Sequence, residues 1–126
     1  MVCRPVSVGI AKAELAATLR NAGMQRAVSS RVKISYGTDA GVFPHSENNK
    51  DFALLASMGM RPIDLLRSAT SVAAALLDTP DRGTLAPGKL ADVIAVSDDP
   101  SANIRTLERP SFVMLGGRRV DTARLA

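Results

Sequence analysis

Aromatic residues make up only 3% of this 126-residue chain, and tryptophan is absent. That excludes a row of rings on which successive bases of a single-stranded nucleic acid could stack. It also obliges the core to be built from Ala, Leu, Val, Ile and Met. There is one cysteine, Cys3, so an internal disulfide and a cysteine-based zinc site are both excluded. A reducing cytoplasm is the expected compartment. No apolar run approaches the roughly 18 residues of a membrane span. The opening ten residues carry Arg4, Pro5 and Gly9 with no sustained apolar stretch behind them, which is not the pattern of a signal peptide. A membrane is therefore not an expected partner. Basic clustering is missing as well. The net charge is +4, from 16 basic and 12 acidic residues, but only Arg118 and Arg119 are adjacent. Nucleic-acid binding wants its cations gathered on one stripe, so nucleic acid is not expected either.

What is present is a normal globular share of apolar residues, 46%, enough for one domain with a modest core. Residues 1–10 read as irregular or as one short strand. The composition from Ala11 to about Val28 favours a helix, with Leu15, Leu19 and Ala22 on one side and Gly23 as a possible break. Val32, Ile34 and Tyr36 then alternate with Lys33 and Ser35, which is strand periodicity, so Arg31–Tyr36 reads as a buried strand. Gly37 and Gly41 permit a tight turn around Asp39. Phe43-Pro44-His45-Ser46 reads as a loop. Ser46 is the expected N-cap of a helix from Glu47 to about Met58, stopped by a left-handed Gly59. Pro62 suits the first position of a second helix, which buries Ile63, Leu66, Ala69, Ala73 and Leu77 and ends near Asp78.

The periodicity changes after Pro80. Gly83-Thr84-Leu85 could form a short strand. Pro87-Gly88 occupies the centre of a type II turn. Leu90–Val96 is apolar on both faces, the pattern of a central strand. Asn103–Leu107 suggests a helical turn, and Gly116-Gly117 between Ser111–Leu115 and Arg118–Asp121 is a strong hairpin signal. One apolar strand between helices cannot make a sheet alone and wants parallel neighbours on both sides. The residues thus describe part of a larger α/β object.

Three motifs stand in order. They are Gly37-Thr38-Asp39-Ala40-Gly41; Gly59-Met60-Arg61-Pro62 through Ser68-Ala69-Thr70; and Gly83-Thr84-Leu85-Ala86-Pro87-Gly88-Lys89-Leu90-Ala91-Asp92. Together, over roughly Met24 to Val120, they resemble the C-terminal part of the metal-dependent amidohydrolase superfamily, in the branch that includes imidazolonepropionase and the Xaa-Pro dipeptidases. The resemblance implies a fold class: the C-terminal fragment of an α/β (β/α)₈ barrel, with the last barrel strand at Arg31–Tyr36 and the last barrel helices after it. Residues 1–80 would belong to the barrel and residues 81–126 to a small β-sandwich built from both chain ends. A whole barrel of this kind takes about 250 residues.

The resemblance also implies chemistry. Asp39 corresponds to the aspartate after the eighth strand, which lies beside or on the metal, takes a proton from the metal-activated water and returns it to the leaving amine. Pro44-His45-Ser46-Glu47-Asn48 is similar to the family's Pro-His-Gly-x-Asn loop, with Ser46 in place of glycine, and gives His45 a substrate-binding or loop-ordering role. By its residues alone, Asp39 is better read as a turn cap, and His45 could as well be an exposed loop histidine. The cofactor implied is a divalent metal, zinc first. A zinc centre needs three or more protein ligands, and one Asp, one distant His and one Cys do not supply them. The expectation is a hydrolase segment for carbon–nitrogen bonds in small amide or peptide-like substrates that is inactive on its own. Two alternatives belong with it: a non-catalytic self-associating protein, such as a homodimer, and half of a split enzyme whose complementing N-terminal chain brings the histidines.

Overall fold

The structure is a computed structural model and describes residues 6–41 and 44–121. It divides into two units between Val32 and Lys33. The first is a single helix, α1, Val6–Ser29. Helix therefore replaces the irregular run expected over residues 6–10, because one Gly9 costs only about 1 kcal/mol against a long series of good helix formers. Gly23 does not break it. The helix stops with Arg31 in the left-handed region at φ 55°. There Arg31 N–H donates to Val28 O at 3.0 Å and Val32 N–H to Ala27 O at 3.1 Å, the paired bonds of a Schellman stop. Leu15 and Leu19, the apolar side foreseen for this helix, are exposed.

The second unit opens with residues 33–40, which pair with no strand. The expected strand at Arg31–Tyr36 is thus not formed in this chain. A ladder needs a neighbour, and among the described residues none lies beside it. Its backbone tie is instead to a helix, Tyr36 N–H donating to Ser68 O at 3.0 Å.

The helices follow. A 3-10 helix, His45–Lys50, leads directly into α2, Asp51–Ser57; α3 is Pro62–Ala69 and α4 is Ser71–Leu76. The expected N-cap at Ser46 is not observed. Pro44 occupies that position, and no side chain caps the helix. Gly59 stops α2 as foreseen, at φ 96°, with Gly59 N–H on Ala56 O at 3.0 Å and Met60 N–H on Leu55 O at 3.2 Å. Pro62 starts α3, where its missing N–H costs nothing.

The single helix expected from Pro62 to Asp78 is two helices, broken at Thr70. Its buried side is Leu65, Ser68 and Ala74, while Ile63 and Leu77 are exposed. Leu65 is buried where the sequence pattern expects Leu66. Ser68 decides it, because this small side chain turns its hydroxyl back to Leu65 O at 2.6 Å and leaves room for the Tyr36 backbone. Among the described residues, the buried apolar ones are Phe52, Met60, Leu65, Ala74, Ile104 and Leu107.

The loop after α4 returns against the junction of α3 and α4 at Gly83. A Cβ placed on Gly83 would lie 2.7 Å from Ala74 Cβ and 2.9 Å from Thr70 O. No strand forms at 83–85. The type II turn is present, with Gly88 at φ 81° and Lys89 N–H donating to Ala86 O at 3.2 Å. A three-stranded antiparallel sheet follows in the order β1-β2-β3: β1 Val93–Ala95, β2 Phe112–Leu115 and β3 Arg118–Arg119. Among the described residues β1 is an edge strand, and Ile94 is exposed, so the central position expected of Leu90–Val96 is not filled there. Gly116 and Gly117, at φ 55° and 78°, form the hairpin turn with both residues left-handed, and Asp92 Oδ1 accepts from Gly116 N–H at 2.7 Å. A second 3-10 helix, Ile104–Glu108, is capped by Asn103, whose side chain accepts from Arg105 N–H at 3.2 Å.

Candidate functional site

Tyr36 is held on three sides. Its N–H donates to Ser68 O of α3 at 3.0 Å. Its ring stacks on Phe52 of α2, centroids 4.3 Å apart and planes 12° apart. Its hydroxyl donates to Asn48 O in the first 3-10 helix. Burial, and after it the nearby negative charge of Asp51, raises the Tyr36 phenol above its ordinary range.

Three residues on, Asp39 adopts φ 48°. A non-glycine residue takes that conformation at a cost, though aspartate tolerates it better than most. The side chain is exposed and makes no hydrogen bond or ion pair among the described residues. His45 starts the first 3-10 helix and is also exposed. No hydrogen bond brings the two together among the described residues. That 3-10 helix is fixed from its other side by Asn49, whose Nδ2 donates to Leu107 O at 2.9 Å. Three buried oxygens nearby, Asn48 Oδ1, Asn49 Oδ1 and Thr106 Oγ1, have no partner among the described residues.

A divalent metal does not fit the donors here. Among the described residues, no group of three His, Cys, Asp or Glu side chains could hold one, and Cys3 lies outside them. Arg61, at the start of α3, is engaged with Asp64 at 2.6 and 3.1 Å. Sequence reasoning missed the Tyr36–Asn48 link. Asn48 stood in the loop motif without a role, and strand periodicity treated Tyr36 only as an apolar position. Among the described residues, no helix is long and apolar enough to cross a membrane.

Residues 1–120 match the model of the amidohydrolase family, a span that begins well before Met24, from which the resemblance carried by the three motifs runs. Among solved structures, the chain is similar to a Xaa-Pro dipeptidase with bound methionine in the active site, at 37% identity and a TM-score of 0.75 over 80% of this chain and 25% of that one. It is similar to molinate hydrolase at 25% identity and a TM-score of 0.73, over 81% and 26% of the two chains. It is similar to Aspergillus niger ochratoxinase at 30% identity and a TM-score of 0.68, over 86% and 26%. The chain thus spans about a quarter of the length of the structures it matches. No curated protein matches it.

Proposed function

The chain belongs to the amidohydrolase family, and from that premise we propose that it is the C-terminal segment of a metal-dependent hydrolase cleaving carbon–nitrogen bonds in small amide, cyclic amide or dipeptide substrates. Residues 1–80 are then the end of a (β/α)₈ barrel and residues 81–126 its share of a small β-sandwich. The observation that carries the reading is the family match, which covers residues 1–120 and so includes the Asp39 turn. In this reading Asp39 is the catalytic carboxylate. It accepts a proton from the attacking water as the water oxygen bonds to the carbonyl carbon, and returns that proton to nitrogen as the C–N bond breaks. His45, on the neighbouring loop, binds substrate. Asp39 is also one candidate donor to the family's metal, and the remaining donors lie outside these 126 residues. The chain alone is inactive.

The test is an amide and dipeptide hydrolysis assay with added Zn²⁺ or Mn²⁺, first on the chain alone and then with a complementing N-terminal amidohydrolase chain. The expected result is turnover only in the second case, abolished by Asp39→Asn. Metal-dependent turnover by the chain alone, lost in Asp39→Ala, would overturn the claim of inactivity. Complemented activity indifferent to Asp39→Asn would overturn the role of Asp39.

A second reading, a self-associating non-catalytic protein, is favoured by one observation: Leu76, Leu77 and Leu85 are 72%, 69% and 79% exposed. Light scattering decides on it, since a well-folded monomer excludes it.

A further inference from the structure

We propose that Tyr36 is the positioning residue that locks the Asp39 turn and the His45 loop to each other. Its functional meaning rests on the catalytic reading of Asp39 and the substrate-binding reading of His45. The lock itself rests only on contacts of this chain. Residues 33–40 lack a ladder, and their one backbone tie among the described residues is at Tyr36. The place of Asp39, three residues later, is therefore set by how Tyr36 is held.

The three contacts divide the labour. The bond to Ser68 O and the stack on Phe52 fix the Asp39 side to α3 and α2. The hydroxyl reaches across to Asn48 O, a carbonyl that also accepts from Asp51 N–H where the 3-10 helix passes into α2. His45 is the first residue of that same 3-10 helix. Loss of the hydroxyl alone should therefore release the His45 loop and leave the Asp39 turn in place. Loss of the whole ring should release both.

Amide hydrogen exchange on the full chain separates these cases. Tyr36→Phe is expected to raise exchange in residues 45–51 roughly fivefold, the factor that goes with one net hydrogen bond, and to leave the amide of residue 36, which donates to Ser68 O, and α3 unchanged. Tyr36→Leu is expected to raise exchange both at the amide of residue 36 and in 45–51. Asn49→Ala serves as the comparison, because it loosens the same loop from the Leu107 side without touching Tyr36. Unchanged exchange at 45–51 in Tyr36→Phe, or an equal rise throughout the second unit, would overturn the proposal.

In the complemented enzyme, Tyr36→Phe is expected to raise KM by about tenfold with kcat within about twofold, since the loop moves and the carboxylate does not. A fall in kcat with KM unchanged would overturn the division of labour. Asp39→Asn is the separate control. If it leaves activity intact while the exchange results stand, the catalytic reading fails and the lock does not.

Discussion

Tyr36 and Phe52 lie face to face, ring centroids 4.3 Å apart and planes 12° apart, and this stack joins a segment without sheet partners to the buried side of α2. Such pairs contribute about 0.5–1.5 kcal/mol beyond the area they bury. A double-mutant cycle with Tyr36→Leu and Phe52→Leu should return a coupling of about 1 kcal/mol in urea unfolding. Phe52→Ala alone should cost about 3–5 kcal/mol. A coupling near zero would mean that the rings share only a surface.

The protein carries one tyrosine and no tryptophan, so tyrosinate absorbance titrates Tyr36 alone. Burial and Asp51 place the folded phenol above its ordinary value of about 10. A group whose folded pKa is raised stabilises the fold below the unfolded pKa, and that stability is lost as pH rises through the folded pKa. The expected outcome is a titration midpoint above that of free tyrosine, with the urea midpoint falling over the same alkaline window. Asp51→Asn should lower the tyrosine midpoint only in part, because burial is the larger cause.

Leu65 is completely buried and Ile63 is exposed, although both lie on α3. Leu65→Ala should cost about 2–5 kcal/mol, and Ile63→Ala less than about 1 kcal/mol. Comparable losses at the two positions in urea unfolding would restore the helix face that the sequence suggested.

Gly83 and Gly88 have nearly equal φ, 84° and 81°, but differ in their surroundings. Alanine at Gly88 meets open space and should cost about 1–2 kcal/mol for the left-handed backbone alone. Alanine at Gly83 meets Ala74 Cβ at 2.7 Å and the Thr70 carbonyl oxygen at 2.9 Å, which adds about 1–3 kcal/mol of overpacking. The difference between the two variants in thermal or urea unfolding isolates the steric part.

Features fixed by the conformation of one or two residues were legible from sequence. Gly59, Pro62, Pro87-Gly88 and Gly116-Gly117 each do in the structure what their chemistry requires. Features that depend on a neighbour were not. Alternation at Val32, Ile34 and Tyr36 marks a segment suited to a sheet, but suitability creates no partner, so no strand forms there. Likewise Leu90–Val96 reads as central from its apolarity, yet only Val93–Ala95 pairs, and on one side only. The burial of Leu65 in place of the expected Leu66 goes with the bond from Tyr36 N–H to Ser68 O, which lies outside any window of helical periodicity. For the candidate site, Asp39 and His45 are nominated through motifs. The tyrosine that ties their segments together has no motif and became visible only through its three contacts.

The small sheet has a direction of growth. Val120 N–H donates to Val113 O at 2.9 Å, so Val113 faces β3, and Phe112 and Met114 face β1. Their partners Ala95 and Val93 then spend their backbone groups inward, and by alternation Ile94 turns its N–H and C=O away from the sheet. At the opposite margin β3 is two residues long, Arg118 and Arg119, a short charged edge of the kind that discourages pairing. An incoming strand would therefore add beside Ile94 and not beside the arginines. The sheet is polar in the way a filament end is polar, closed at one margin and open at the other.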